Sequence, residues 1–183
     1  MIISHNREKI FNMMIFFAKN TKKCYKTKLF KLFYNADFLH FKETGKSISG
    51  LDYVAWKMGP VPADLWQEFK NPKEDFKKLV ALVGDEKACQ IVAKSSFDDK
   101  YFSERELKIL EKVAFIFKEA NTDTMIESTH LKNHPWDKTI KMKGDGAKID
   151  YTLAFDGEND SLTKEEYQIK LQETQETERF FAP

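Results

Sequence analysis

The sequence predicts a predominantly α-helical α+β fold, with a helical bundle around a central aromatic-rich helix and a small antiparallel β-sheet. Three observations predict this class. Apolar residues recur at helical spacing over much of the chain. Sixteen phenylalanines among 183 residues supply large apolar side chains for a core. Segments that alternate as strands do are few and short. This length suits one domain.

The first two helices are predicted from apolar stripes. Ile10, Met13, Met14 and Phe17 recur at i, i+3, i+4 and i+7, which is the pattern of an amphipathic helix. In the next segment, KLFKLFYNADFLHFKETG, apolar residues cover two sides of the helix. A helix that is apolar on two sides is surrounded by protein, so we expect this one to be the central helix. Gly45 stands where a left-handed residue closes a helix.

Two polar residues interrupt the apolar sides of the central helix. Asp37 falls within the apolar band, and a carboxylate there must be hydrogen-bonded or paired. His40 lies one turn further on, so we expect Asp37 and His40 to form a structural polar pair. An Asp–His pair can also act as an oriented general base, which leaves a small hydrolase as an alternative function. No serine or cysteine nucleophile lies beside the pair in sequence.

A stiff aromatic segment, LDYVAWKMGPVP, follows the central helix. Val54, Trp56 and Met58 alternate with the residues between them, which predicts a strand. Proline cannot donate to a strand ladder, so residues 59–62 are predicted to end the strand in an exposed turn. ADLWQEFK then reads as a short helix with Pro62 in its first turn.

The segment 76–94 allows two interpretations. We favour a helix followed by a short strand at Gln90–Ala93, and the alternative is a hairpin with Gly84 and Asp85 in its turn. After this segment, Ser103 and Glu106 form a capping box that opens a helix predicted to reach Ala120.

The last third of the chain contains further helix signals. Thr122 is predicted to cap a helix that Pro135 stops. GDGAKIDYTLAF, residues 144–155, predicts a loop followed by a strand or a short helix. Thr163 and Glu166 form a second capping box that opens a final polar helix. We expect residues 1–150 to form the domain and residues 151–183 to form an acidic extension packed on it.

Charge is distributed unevenly along the chain. The formal net charge is +1, which argues against a dedicated nucleic-acid binder. Residues 1–34 hold eight basic residues and one acidic residue, for a net charge of +7. Residues 149–183 hold nine acidic and three basic residues, for a net charge of −6. The basic stretch at 19–31 keeps a regulatory nucleic-acid binder as an alternative.

The cysteine and histidine positions bear on localisation and metal binding. Cys24 and Cys89 form no C-x-x-C motif, and no signal peptide is evident, so we expect a cytoplasmic protein. The longest apolar run near the start of the chain is too short to span a membrane. His130 and His134 stand four residues apart, which on a helix would allow a metal-dependent enzyme as an alternative. A third ligand is not evident, so we expect no metal and no cofactor.

Several of these pieces together resemble the Panacea domain family of antitoxins, which includes SocA and phage-associated GepA-like proteins. The resemblance lies in a Lys-Leu start, a motif of an aromatic residue and an aspartate in the central helix, a glycine before the aromatic strand, and Gly-Pro-Val-Pro. YFSERELKILEKV and ESTHLKNHPW resemble the second half of the family pattern. The resemblance covers about residues 6–140. Asn35 stands where a more apolar residue is expected. The residues that match the family pattern are Lys28, Leu29, Tyr34, Asp37, His40, Gly50, Tyr53, Ala55, Trp56, Gly59, Pro60, Val61 and Pro62.

The resemblance implies binding rather than catalysis. It implies a bacterial or phage antitoxin that neutralises a co-expressed toxin protein, encoded by a neighbouring gene, through direct contact. Some family members are thought to deliver the toxin to a protease, so a cellular protease is a second expected partner. Aromatic residues dominate binding hot spots, and prolines lower the cost of ordering a surface. The two tryptophans also fit a core role. The expected partner-binding residues are Tyr53, Trp56, Gly59, Pro60, Val61, Pro62 and Trp66.

Overall fold

The computed structural model describes residues 4–85 and 88–155, with side chains from Arg7 onward. Helices dominate this part of the chain and small antiparallel sheets accompany them, which confirms the predicted fold class. The helices are α1 (Ser4–Asn20), α2 (Lys26–Thr44), α3 (Ala63–Lys70), α4 (Glu74–Leu79), α5 (Glu104–Ile116), α6 (Thr122–Thr129) and α7 (Pro135–Lys143). The strands are β1 (Tyr53–Trp56), β2 (Gly59–Pro62), β3 (Val80–Val83), β4 (Gln90–Ala93) and β5 (Ala147–Lys148).

Helix α2 is the centre of the fold, as predicted. It packs against α1, α5, α6 and β2, and 12 of its 19 residues are buried. Aromatic rings fill the space around it. Phe33 lies 5.9 Å from Phe17 between ring centroids, and Tyr34 lies 5.5 Å from Tyr53. Gly45 closes the helix with φ 77°, the left-handed cap that the sequence predicted.

The main sheet corrects the prediction for residues 59–62. These residues do not form an exposed turn but strand β2, which pairs antiparallel with β1 and is buried throughout. The strand order is β2-β1-β5, so β2 is an edge strand. An edge strand tolerates proline because the missing N–H groups leave no partner strand unsatisfied. The hairpin turn falls at Lys57 and Met58 instead.

The segment 76–94 contains the helix of the first interpretation and the hairpin of the second. Helix α4 ends at Leu79, and β3 and β4 then form an antiparallel hairpin. The strand Gln90–Ala93 is confirmed. The N–H of Ile91 donates to the carbonyl of Cys24 at 2.9 Å, and the N–H of Lys26 donates to the carbonyl of Cys89 at 2.8 Å. These bonds join β4 to the start of α2.

Helix α5 begins at the predicted capping box of Ser103 and Glu106 but ends at Ile116, earlier than predicted. The segment that follows α5 is bound by the buried ammonium of Lys28. Its Nζ donates to the carbonyl of Ala120 at 2.8 Å and to that of Lys118 at 3.1 Å. A lysine buried in this way is stable only with such partners.

Pro135 also has a different role from the one predicted. It does not stop α6, which ends at Thr129, but occupies the first turn of α7. Proline is favourable there because the first helical N–H has no partner within the helix.

The segment 144–155 holds both predicted elements, β5 and a short 3-10 helix at Tyr151–Ala154. Tyr151 stacks on Phe38 with centroids 4.4 Å apart. The helix predicted from Thr163 lies outside the described residues, and the division at residue 150 stays a prediction. Within residues 4–85 and 88–155, no helix combines the length and apolarity that crossing a bilayer requires.

Candidate partner-binding surface

The β1–β2 hairpin has two different faces because side chains alternate along a strand. Tyr53 and Ala55 are both 0% exposed and point into the core. Val54 and Trp56 lie on the other face and are half-buried. Met58, at the hairpin turn, is 62% exposed. The alternation predicted from the sequence is therefore confirmed for β1.

Asp37 holds the start of this hairpin against α2. Its carboxylate is 0% exposed and accepts hydrogen bonds from the N–H of Ile48 at 2.9 Å and the N–H of Ser49 at 2.8 Å. It also accepts from the Ser49 hydroxyl and, at 2.6 Å, from the Tyr53 hydroxyl. Burial raises the pKa of Asp37, and these hydrogen bonds oppose the rise.

The predicted pair of Asp37 and His40 is wrong. The His40 ring lies 2.6 Å, through Nδ1, from the carbonyl of Lys46, and it also contacts the hydroxyl of Thr44. Each residue therefore fastens α2 to the loop that follows it, through separate bonds. Asp37 is a structural group that is closed off from solvent, which is not the geometry of a general base that reaches a substrate.

Lys31 fastens the second strand of the hairpin to the central helix. It is 1% exposed, and its Nζ donates to the carbonyl of Pro60 at 2.8 Å. Burial lowers the pKa of Lys31 to about 7. Gly59 leaves room for this amine: its φ is +98°, and an added Cβ would lie 2.6 Å from Lys31 Nζ. A side chain at position 59 would therefore meet both backbone strain and a clash.

Trp56 and Trp66 come together on the outer side of this scaffold. Their rings meet edge to face at 89°, with centroids 5.0 Å apart. Trp136 supports the hairpin from below, since its Nε1–H donates to the carbonyl of Trp56 at 2.9 Å. Lys70, one turn after Trp66 on α3, places its Nζ 3.8 Å from the centre of the Trp66 ring. We call Trp56, Met58, Trp66 and Lys70 the tryptophan face.

A groove of about 840 Å³ adjoins the tryptophan face. Its apolar wall consists of Trp66 and Phe69 from α3 and Leu82 from β3. The groove runs between α3 and the β3–β4 hairpin and offers a mixed apolar and charged lining beside the two tryptophans. Its polar lining consists of Lys26, Lys70, Asn71 and Asp85.

The other predicted partner-binding residues do not reach the surface. Tyr53, Gly59, Pro60, Val61 and Pro62 are all buried in the described part of the chain. They support the tryptophan face from behind rather than contribute contact area. Of the seven residues, the structure places only Trp56 and Trp66 where a partner could touch them.

The two histidines do not form the arrangement that a shared metal would need. His130 caps the end of α6 and stacks on Trp136 at 3.8 Å, whereas His134 precedes α7. They lie on no common helix face. The described residues contain no group of three or more His, Cys, Asp or Glu side chains that could hold a metal ion.

The basic stretch at 19–31 is not one solvated surface. Lys28 and Lys31 are buried and bonded to backbone carbonyls. Lys22 pairs with Glu119 at 3.0 Å between Nζ and Oε1. Fewer cations therefore face solvent than the sequence suggests, which weakens the nucleic-acid alternative.

Sequence reasoning missed Lys70, Leu82 and Lys31 as parts of this surface or its support. Lys70 follows Trp66 by four residues, so helical spacing alone could have placed it on the indole. Leu82 carries no such signal, because its position depends on how the β3–β4 hairpin packs. Lys31 reads in sequence as one more surface lysine.

Comparison with known proteins adds one finding. A family model described as antitoxin SocA-like, Panacea domain, matches residues 29–137, which is more than half of the chain. The matched range begins in α2 and includes both strands of the hairpin, Trp66 and the start of α7. No curated protein and no solved structure matches the chain.

Proposed function

The chain belongs to the antitoxin SocA-like Panacea domain family, and from this premise we propose that it neutralises a co-expressed toxin by direct protein–protein binding at the tryptophan face. The proposed action has no catalytic step. The choice of surface rests on the edge-to-face pair of Trp56 and Trp66, which is half-buried and borders a groove with a mixed apolar and charged lining.

Tryptophan is the residue type most enriched in binding hot spots, because it buries a large area with few rotatable bonds. Each indole here is already held in place. Trp56 lies on a strand whose carbonyl accepts from Trp136, and Trp66 is covered on one side by Lys70. A surface fixed before binding loses little conformational entropy when the partner docks.

The buried residues behind the face explain why an inert Gly-Pro-Val-Pro segment serves binding. Pro60 and Pro62 restrict the backbone of β2, and Lys31 fastens the carbonyl of Pro60 to the central helix. β2 in turn pairs with β1 over its full length, from Tyr53 to Trp56. The rigidity of Trp56 therefore depends on residues that the toxin never touches.

The test is the affinity of the purified protein for the product of the neighbouring gene, measured by calorimetry. Trp66→Ala should weaken the complex about thirtyfold, since a hot-spot residue contributes about 2 kcal/mol or more. Met58→Asp should weaken it about tenfold or more by placing a charge in the contact. Met58 is exposed, so this second variant keeps the fold intact.

Met142→Asp is the matched control. Met142 is 70% exposed and lies near the end of α7. The start of this helix, at Trp136, contacts Trp56. Its last residue, Lys143, lines a pocket with Asp52 at the opposite end of β1, so Met142 lies away from the tryptophan face. The control variant should bind as the unaltered protein does. Equal losses at positions 58 and 142, or no loss at positions 58 and 66, would place the toxin elsewhere on the molecule.

A further inference from the structure

A second concave site lies away from the tryptophan face, where α2, the start of α7 and the 3-10 helix at Tyr151–Ala154 meet. It is a pocket of about 180 Å³. Phe38, Pro135 and Leu153 form its apolar part. A cavity of about 150 Å³ lined by apolar side chains accepts a benzene ring, so this pocket can take an apolar group of that size.

The polar part of the pocket combines two lysines with Asn35, Asn133 and His134. Lys42 from α2 and Lys138 from α7 both line it, and none of the described residues that line it is Asp or Glu. Lys138 Nζ donates to the carbonyl of Leu153 at 3.1 Å, which uses one of its three N–H groups and holds the ammonium at the rim.

Tyr34 provides an independent sign of a ligand. It lines the same pocket and is 4% exposed. The backbone N–H of Trp136 lies near its oxygen and opposes the rise that burial causes in the pKa of Tyr34. In the described part of the chain, however, no acceptor takes the proton of this hydroxyl. Buried hydroxyls are normally satisfied, so this proton is left without its usual partner.

We propose that this pocket binds a carboxylate carried on an apolar group about the size of a benzene ring. The apolar group would fill the space between Phe38 and Leu153, and the carboxylate would face Lys42 and Lys138. The same chemistry occurs in a free aromatic acid and in the carboxyl-terminal phenylalanine of a protein. The site is separate from the residues of the proposed toxin contact.

The test uses the full-length chain labelled with ¹⁵N, titrated with phenylacetate as the free acid and with N-acetylphenylalanine as the chain-end analogue. A ligand of about ten non-hydrogen atoms should bind with a millimolar Kd. Amide shifts should saturate and centre on residues 34–42, 133–138 and 153–154. A stronger response to one probe identifies the source of the carboxylate.

Charge recognition is tested with matched pairs. Phenylacetamide and N-acetylphenylalaninamide keep the shape of the probes without the charge, and each should bind about tenfold more weakly, since hydrogen bonds to a charged group are worth about 1.5–3 kcal/mol. Lys138→Met should weaken acid binding at least about fivefold. Lys78→Met, which removes an exposed lysine on α4, should leave it unchanged.

Three results would overturn the proposal. The first is the absence of saturable shifts with both acids at millimolar concentration. The second is equal binding of acids and amides, which would mean that the lysines do not read the charge. The third is equal weakening by Lys138→Met and Lys78→Met, which would mean that only the net charge of the protein matters.

Discussion

Replacing Lys31 by methionine should flatten the pH dependence of stability between pH 7 and about pH 8.5. Methionine has a similar length and no charge, so it fills the same space without an amine. Burial lowers the pKa of Lys31 from 10.5 to about 7 in the folded protein. In the unfolded chain, the same amine stays protonated throughout this range because its ordinary pKa is 10.5.

The direction of the pH dependence of stability follows from the number of protons that the folded and unfolded states bind. Between pH 7 and about pH 8.5, the unfolded chain binds more protons at Lys31 than the folded protein does, so stability rises with pH. The two pKa values imply a gain of about 1.5 kcal/mol in the free energy of unfolding across this window. The window lies above the ordinary titration of His130, whose pKa burial and Lys31 lower further. Burial raises the pKa of Cys24 to about 11 in the folded protein, so its thiol loses a proton first in the unfolded chain and slightly reduces the gain. This reduction is common to the unaltered protein and Lys31→Met, so the difference between their curves reports Lys31.

The assay is urea unfolding at several pH values within the window, followed by tryptophan fluorescence. The unaltered protein should gain about 1.5 kcal/mol, and Lys31→Met should gain little. Lys78→Met, at an exposed position on α4, should behave as the unaltered protein does. Parallel curves for Lys31→Met and the unaltered protein would show that the buried amine keeps its proton, and the reasoning about its burial would then fail.

Two further predictions concern the support of the tryptophan face. Gly59→Ala should destabilise the protein by about 2 kcal/mol more than Gly146→Ala in urea unfolding. Both glycines have positive φ, but an added Cβ meets the amine of Lys31 at position 59 and open space at position 146. Equal losses would mean that the amine moves aside freely. Asp37→Asn should cost about 3 kcal/mol, because the amide would face hydrogen-bond donors, whereas Asp52→Asn at an exposed ion pair should cost less than about 1 kcal/mol. A similar small loss at both positions would show that the carboxylate of Asp37 is not required.

Local pattern was enough to predict the helical part of the fold. The stripes in α1 and α2, the left-handed cap at Gly45 and the capping box at Ser103 each depend on residues within a few positions of one another. Such features form from short-range geometry, so the sequence contains the information directly. The strand Gln90–Ala93 was found for the same reason.

Proline was misread because its role depends on distant parts of the fold. Residues 59–62 form an edge strand, and Pro135 begins a helix, although both were predicted to end an element. An edge strand and a break look alike in sequence. The difference lies in whether another segment pairs with the chain at that point, and here β1 supplies the partner.

The site was only partly predictable, and for a similar reason. Trp56 and Trp66 were identified by residue type, but their edge-to-face contact depends on how α3 packs beside the hairpin. The sequence pairs Asp37 with His40, which lies one turn further along the same helix. The actual partners of Asp37, which include Ser49 and Tyr53, come from the next loop and strand. Spacing along a helix does not reveal partners that fold back from beyond it.

The most direct test of the proposed function is co-expression with the product of the neighbouring gene in a bacterial host. We expect that the neighbouring product alone arrests growth, that this chain restores growth, and that the two proteins purify as a stable complex. Trp66→Ala should weaken both the rescue and the complex while the variant stays folded. A toxic neighbour that this chain neither binds nor neutralises would contradict the proposed function, and so would rescue that is unaffected by changes across the tryptophan face.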